Sequence, residues 1–357
     1  MTFRDYGLSW DEPLFYRYAD AIGYAYSIQA RIQGNFDIEK AFGPSAYDHR
    51  NRGPAYLLIA HGFVSVLEDI PGVDNASAWH LTNFLTFQVG VFFLYSICRR
   101  WVKPWSAFAA AFLFSSQPLL WGHAFINPKD PPFMVFFLGT IYFGFHMVDE
   151  LVKEPETKQT VFNRLFKVIL PGIFMGLATS IRILGPLAGG LIIIYALLLQ
   201  KPIKLLWFIP YGLVAALTTL VTWPYLWADP INRLIEVIKF SSSNPTQLPV
   251  LFMGNLFRAN ELPRRYLPLL LGITLTEPVG FLFAVSLVMC IIRAWKKQVE
   301  WKSIGIILAW FIIPFSYVIV TKPPMYDGYR HFLFILPPIF ILTSITFDAI
   351  LSLIKKH

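Results

Sequence analysis

Four carboxylates and a set of cations are the residues of this chain whose types and positions can do group-transfer chemistry. Asp11 and Glu12 stand side by side in "GLSWDEPLFYRYAD" (7–20), Asp48 and His49 adjoin in "YDHRNRGPAY" (47–56), and Asp130 follows Lys129 in "HAFINPKDPPF" (123–133). The cations are Lys129, Arg182, Arg264, Arg265, Lys322 and Arg330, the last flanked by Tyr329 and His331. A carboxylate can take the proton of a hydroxyl or amine nucleophile. Arginine and lysine can hold a phosphate, arginine with bidentate geometry. A phosphate leaves as an anion, so cations can stand in for a general acid. The chemistry expected of this set is transfer of a group from a lipid phosphate to an acceptor.

Each of these residues also has a structural reading. Asp11 and Glu12 before Pro13 fit an ordinary acidic helix start. Asp130 can cap a helix beginning at Pro131. Arg182 interrupts an apolar run and can snorkel to the interface, while Arg264 and Arg265 can simply anchor the next helix. Tyr329, Arg330 and His331 fit an interfacial belt. The histidines show no spacing of the HExxH or HxH kind, and the Asp-Glu pair is not an Asp-x-Asp motif, so no bound metal is expected.

The elements that must position these groups are membrane helices. Of 357 residues, 55% are hydrophobic, 17% aromatic and only 15% charged, short of the roughly 25% charged residues of soluble domains. Runs such as "LTNFLTFQVGVFFLYSIC" (81–98) are long enough for a bilayer core. The net charge of +8 is therefore read through loop positions, and no aromatic-interleaved basic stretch points to nucleic acid. Cys98 and Cys290 close apolar runs and read as small core side chains. No apolar signal region precedes the first motif.

Nine spans are predicted, at 79–98, 105–121, 132–148, 168–181, 184–199, 205–222, 267–292, 303–320 and 332–353. The stretch 55–67 is too short to cross and is expected to lie at the interface or re-enter. The organisation expected is an extracytoplasmic segment 1–78 carrying the acidic motif, then a helical membrane domain 79–357 with a second extracytoplasmic loop at 223–266.

Loop charge sets the orientation. "RRWVKP", "QKPIK", "RAWKKQVEWK", the segment 149–167 and the tail Lys355–Lys356 gather the lysines and arginines on one side. The short loops opposite hold only Lys129, Arg182, Lys322 and Arg330. The C-terminus is thus expected in the cytoplasm, and the polar motifs at helix ends share the other face. Charges at membrane depth are costly and tend to be paired or functional.

In order and sidedness these motifs resemble the protein O-mannosyltransferase-like enzymes of glycosyltransferase family 39, whose relatives include the aminoarabinose transferases of lipid A. The resemblance rests on "DE" followed by "RYA", "YDHRNRGPAY", "NPKDPPF", "GLATSIRILGP", "WPYLWADPINR", "GNLFRANELPRRY" and "YRHFLFILPP", and it runs through nearly the whole chain. It implies an all-α polytopic GT-C fold with a large first extracytoplasmic loop. It implies an inverting transferase using a polyprenyl-phosphate sugar as donor substrate, with no other cofactor. Asp11 would be the base, Glu12 its support and Asp130 a second acid facing the same cavity. Arg182 and Arg330 would bind phosphate. Members usually carry a membrane helix ahead of the acidic pair, whereas ten residues precede Asp11 here, and "DHRNRGP" stands where an Asp-x-His-Pro-Pro-like stretch is usual.

The expectation is an integral membrane glycosyltransferase of a bacterial or archaeal cell membrane. It would act on the non-cytoplasmic face with membrane lipid, a polyprenyl-phosphate sugar and an acceptor that is protein, lipid or glycan. Two rivals stand beside it: a transporter or flippase of a lipid-linked substrate, and a truncated non-catalytic relative. A transporter would place polar groups at the midplane and show inverted repeats, and the sequence has neither feature.

Overall fold

The computed structural model describes residues 2–152, 161–199, 205–243, 248–296 and 301–354. The expected all-α membrane architecture is present and helices occupy the nine predicted runs, but among the described residues five qualify as spans, or six with a bent pair taken as one, rather than nine. Five helices are long and apolar enough to cross: Asn75–Cys98, Asp130–Val152, Asn163–Ile181, Lys302–Thr321 and Arg330–Ile354. The run 267–292 is two helices, Tyr266–Thr274 and Val279–Trp295, bent by 108° where Pro278 interrupts the ladder. The run 105–121 likewise breaks ahead of Pro118, into Pro104–Ser115 and Pro118–Ile126. Gln117 stitches the two breaks together: its amide accepts from the Thr276 N–H at 3.0 Å and donates to the Thr276 hydroxyl at 2.8 Å. Pro186–Leu198, Phe208–Thr222 and the predicted interfacial helix, Ala55–Glu68, are shorter apolar helices.

Asp130–Val152 is the central helix, with 78% of its apolar window inside the protein. Asn75–Cys98, Val161–Ile181 and Pro186–Leu198 pack around it. Val161–Ile181 also lies along Phe208–Thr222, and small residues let the two approach. A Cβ on Gly172 would sit 2.8 Å from Val214, and one on Gly176 would sit 2.6 Å from the Ala215 carbonyl. Membrane helices gain little from hydrophobic exclusion, so this tight contact between small residues supplies their association.

The polar segments collect at one end of this bundle. Residues 2–78 fold as helix Glu12–Ile22, several short turns and Ala55–Glu68, which packs on both Glu12–Ile22 and Asn75–Cys98. The segments 223–243 and 248–266 hold helix Pro230–Ser243 and an antiparallel hairpin, Pro249–Phe252 with Asn255–Arg258, the only strands among the described residues.

Candidate active site

Two acidic helix starts define the site, and in both the carboxylate is free of capping duty. Asp11 occupies the cap position of Glu12–Ile22, yet its side chain makes no cap hydrogen bond. At the central helix the cap is Asn127, whose side-chain oxygen accepts from the N–H groups of Lys129 at 3.1 Å and Asp130 at 2.9 Å. The Asp130 carboxylate is left to accept from the Asn127 amide at 3.0 Å and to form an ion pair with Arg182.

Arg330 links the two acids. One terminal nitrogen lies 2.7 Å from Asp11, the other 3.2 Å from Asp327, and Nε lies 4.0 Å from Asp130. Five residues spread from position 11 to position 330 thus form one chain of charge, Asp11–Arg330–Asp130–Arg182 with Asp327 at its edge. Asp130 is 5% exposed, Arg330 14%, Arg182 17% and Asp11 31%. Asp11 is therefore more accessible than Asp130.

Lys129 completes the cluster from the loop before the central helix. Burial holds its ammonium well below the ordinary lysine range, and the positive charges of Arg52, Arg182 and Arg330 push the same way. Its Nζ lies 5.7 Å from the centre of the Phe15 ring. Among the described residues no carboxylate lies within ion-pair distance of it, whereas Arg182 pairs with Asp130, Arg330 has Asp11, Asp327 and Asp130 within that distance, and Arg52 pairs with Asp48 at 2.9 Å. Asp48 is the carboxylate whose charge favours the Lys129 ammonium, acting from beyond ion-pair distance.

A close approach seats Arg52 beside Arg182. Gly53 lies against the Ser180 carbonyl, where a Cβ would come within 1.6 Å of the oxygen. Only glycine fits there, and it fixes the Arg52 loop to the turn that presents Arg182. The Tyr18 hydroxyl donates to the Arg52 carbonyl at 3.2 Å, and the Trp223 indole donates to that of Arg50 at 3.1 Å.

The structure thus gathers Asp11, Lys129, Asp130, Arg182 and Arg330, with Asp48 attached through Arg52 and His331 edge-on to Tyr326 at 4.7 Å. Several other expected residues sit elsewhere. Glu12, expected among the catalytic carboxylates, is fully buried, with Ser9 N–H, the Tyr16 hydroxyl and His80 Nε2 (2.7 Å) around its oxygens. An acceptor has no access to it, and it acts as an internal strut for the turn that carries Asp11. His49, expected to bind substrate, is buried under Tyr18 at 4.4 Å with Nδ1 2.7 Å from the Phe42 carbonyl, and burial pushes its imidazole below the ordinary histidine range. Tyr329 turns to Thr274, the two hydroxyls 2.6 Å apart. Arg264 and Arg265 are exposed, and their charges are not among those acting on Lys129 or Arg182. Arg52, Asn127 and Asp327 were not singled out in the sequence. Their signal was adjacency: each lies within four residues of a residue that was.

This arrangement of helices is the GT-C fold of membrane glycosyltransferases. The crystal structure of ArnT from Cupriavidus metallidurans bound to undecaprenyl phosphate is similar with a TM-score of 0.56 at 16% identity, covering 94% of this chain and 55% of that one. The archaeal oligosaccharyltransferase AglB from Archaeoglobus fulgidus, in complex with an inhibitory peptide and a dolichol-phosphate, is similar with a TM-score of 0.63 at 10% identity, covering 97% of this chain and 47% of that one. The chain spans about half the length of these solved proteins. No protein-family model matches it, and no curated protein matches it in sequence. At such identities the likeness is one of fold.

Proposed function

We propose that this protein is an inverting glycosyltransferase that moves a sugar from a polyprenyl phosphate to an acceptor on the non-cytoplasmic face of the membrane. The observation that carries the reading is the half-buried cluster of Arg52, Lys129, Arg182 and Arg330 around two carboxylates at one end of the bundle, with Lys129 lacking an acidic partner among the described residues. The solved ArnT holds undecaprenyl phosphate and the solved AglB a dolichol-phosphate, which supports the same class of donor here. The distribution of loop charge supports an extracytoplasmic site and a cytoplasmic C-terminus.

In this mechanism the donor phosphate is drawn to Lys129 and takes over guanidinium contacts that Asp11 and Asp130 now supply. Asp11, released from Arg330, accepts the proton of the acceptor's hydroxyl or amine. The acceptor heteroatom bonds to the anomeric carbon as the carbon–oxygen bond to phosphate breaks, which inverts the centre. The bonding pair leaves with the polyprenyl phosphate, whose added charge the cations stabilise. Asp130, nearly out of solvent, positions Arg182.

Asp11→Asn tests the reading. The variant keeps the shape of the residue and removes the base, so transfer falls by about 10²–10⁴ while expression and folding persist. Near-normal turnover would remove Asp11 from the chemistry.

A further inference from the structure

The cation pair left outside the active-site cluster has a setting of its own. Arg264 and Lys322 line a shallow, partly open cleft walled by Leu262, Leu267, Val318 and Pro323. Lys322 directly follows the membrane helix Lys302–Thr321. The first residue past an apolar span lies at the level of lipid headgroups. Lys322 also adopts a left-handed backbone, φ 50°, at a helix end that favours glycine, with its N–H bonded to the Val318 carbonyl at 3.0 Å. A lysine held at such a position points to a use for its side chain. Among the described residues neither Arg264 nor Lys322 has a carboxylate within ion-pair distance.

The neighbouring hairpin is built for the same surroundings. Val250 and Phe252 turn inward, Phe252 against Tyr266 at 5.0 Å between ring centres. The alternate residues Leu251 and Leu256 face each other across the strands and are 72% and 74% exposed, with Met253 at the tip also exposed. An apolar edge of this kind, adjoined by exposed Arg258, Arg264 and Arg265, matches a lipid surface better than water.

We propose that the cleft at Arg264 and Lys322 binds the headgroup phosphate of an anionic membrane phospholipid, as a site separate from the donor phosphate cluster. The arginine fork and the lysine ammonium meet the phosphate oxygens, and the apolar wall takes the start of the acyl chains. Met325 donates to the Ala259 carbonyl at 3.0 Å, so the segment leaving the cleft is pinned to the hairpin before it reaches Asp327 and Arg330. A bound lipid therefore steadies the strand of chain that presents Arg330. The binding itself does not depend on the transfer reaction.

The test is lipid retention by the full chain in native mass spectrometry, after exchange from nanodiscs of phosphatidylglycerol or phosphatidylcholine. The parent is expected to keep phosphatidylglycerol, and R264Q/K322Q to lose it by at least about tenfold. R264K/K322R and K129Q are expected to keep it. Should the double variant not fold, R264Q and K322Q singly are each expected to lose part of the retention. Equal retention by the charge-removed variants would overturn the proposal. So would displacement of the lipid by inorganic phosphate alone, which would make this a bare anion site. Loss of undecaprenyl phosphate rather than phosphatidylglycerol in R264Q/K322Q would overturn it too, by assigning the cleft to the donor.

Discussion

Replacing Asp130 by asparagine separates what the Asp130–Arg182 pair does for the fold from what Arg182 does for a phosphate. The aspartate is 5% exposed and the arginine 17%, so the substitution leaves a guanidinium in a largely dry site without its counter-charge. Removing one partner of a buried pair costs about 3–5 kcal/mol, and the residual exposure of Arg182 places the cost near the lower end, about 3 kcal/mol. At about 2 °C per kcal/mol for a chain of this size, thermal melting in detergent falls by about 6 °C. Asp130→Asn/Arg182→Gln removes both charges and recovers at least about half of that loss, because no uncompensated charge remains. Undecaprenyl phosphate supplies the missing counter-charge, so it raises the melting temperature of Asp130→Asn more than that of the parent. The extra increment disappears in the double variant. Melting of Asp130→Asn within a degree or two of the parent, or a double variant less stable than the single, would refute the reasoning.

Other outcomes follow from the same geometry. Lys129→Gln removes a buried cation with no described acidic partner, so melting is unchanged or higher while affinity for undecaprenyl phosphate, read by ligand-induced melting shifts, drops by about 1.5–3 kcal/mol. The folded-state pKa of Lys129 lies below its unfolded value, so folding favours the neutral amine; stability rises with pH between the two values. Phosphate binding weakens over the same rise, and a binding titration of the parent against Lys129→Arg checks that this fall belongs to Lys129. Gly53→Ala forces a Cβ onto the Ser180 carbonyl and costs about 1–3 kcal/mol of stability, with donor binding weakened as Arg52 and Arg182 part. Glu12→Ala strands the His80 and Tyr16 partners of a fully buried carboxylate and destabilises by about 3 kcal/mol, a loss that melting detects and that Asp11→Asn does not share.

Helix positions were legible because apolar runs of spanning length are a strong signal, and loop charge sorted the polar motifs to one face. One break was not. Pro118 interrupts a run that hydropathy alone reads as continuous, whereas Pro278 inside the seventh run marks a place where a kink is expected. Sidedness brought Asp11, Lys129, Asp130, Arg182 and Arg330 to the same end of the bundle, but it carries no information on which acid meets which cation. That depends on helix rotation. Adjacent residues on a helix point about 100° apart, so Asp11 reaches Arg330 while Glu12 turns inward to His80. Both helix starts looked capped by an aspartate, yet Asp11 makes no cap hydrogen bond, and at the central helix the N–H groups bond to Asn127, three residues before the aspartate that looked suited to it. Arg264 and Arg265 shared the predicted face with the cluster, and a common face is a weaker condition than a common site.

The central claim, that the charged end of the bundle transfers a sugar from a polyprenyl phosphate, is tested most directly by a transfer assay. Membranes carrying the parent or Asp11→Asn are incubated with a panel of labelled polyprenyl-phosphate sugars, and the labelled product is isolated and its anomeric configuration determined. The parent is expected to convert at least one donor to a product of inverted configuration, and Asp11→Asn is expected not to. Labelled lipid that crosses the bilayer unchanged, or equal product from both proteins, would contradict it.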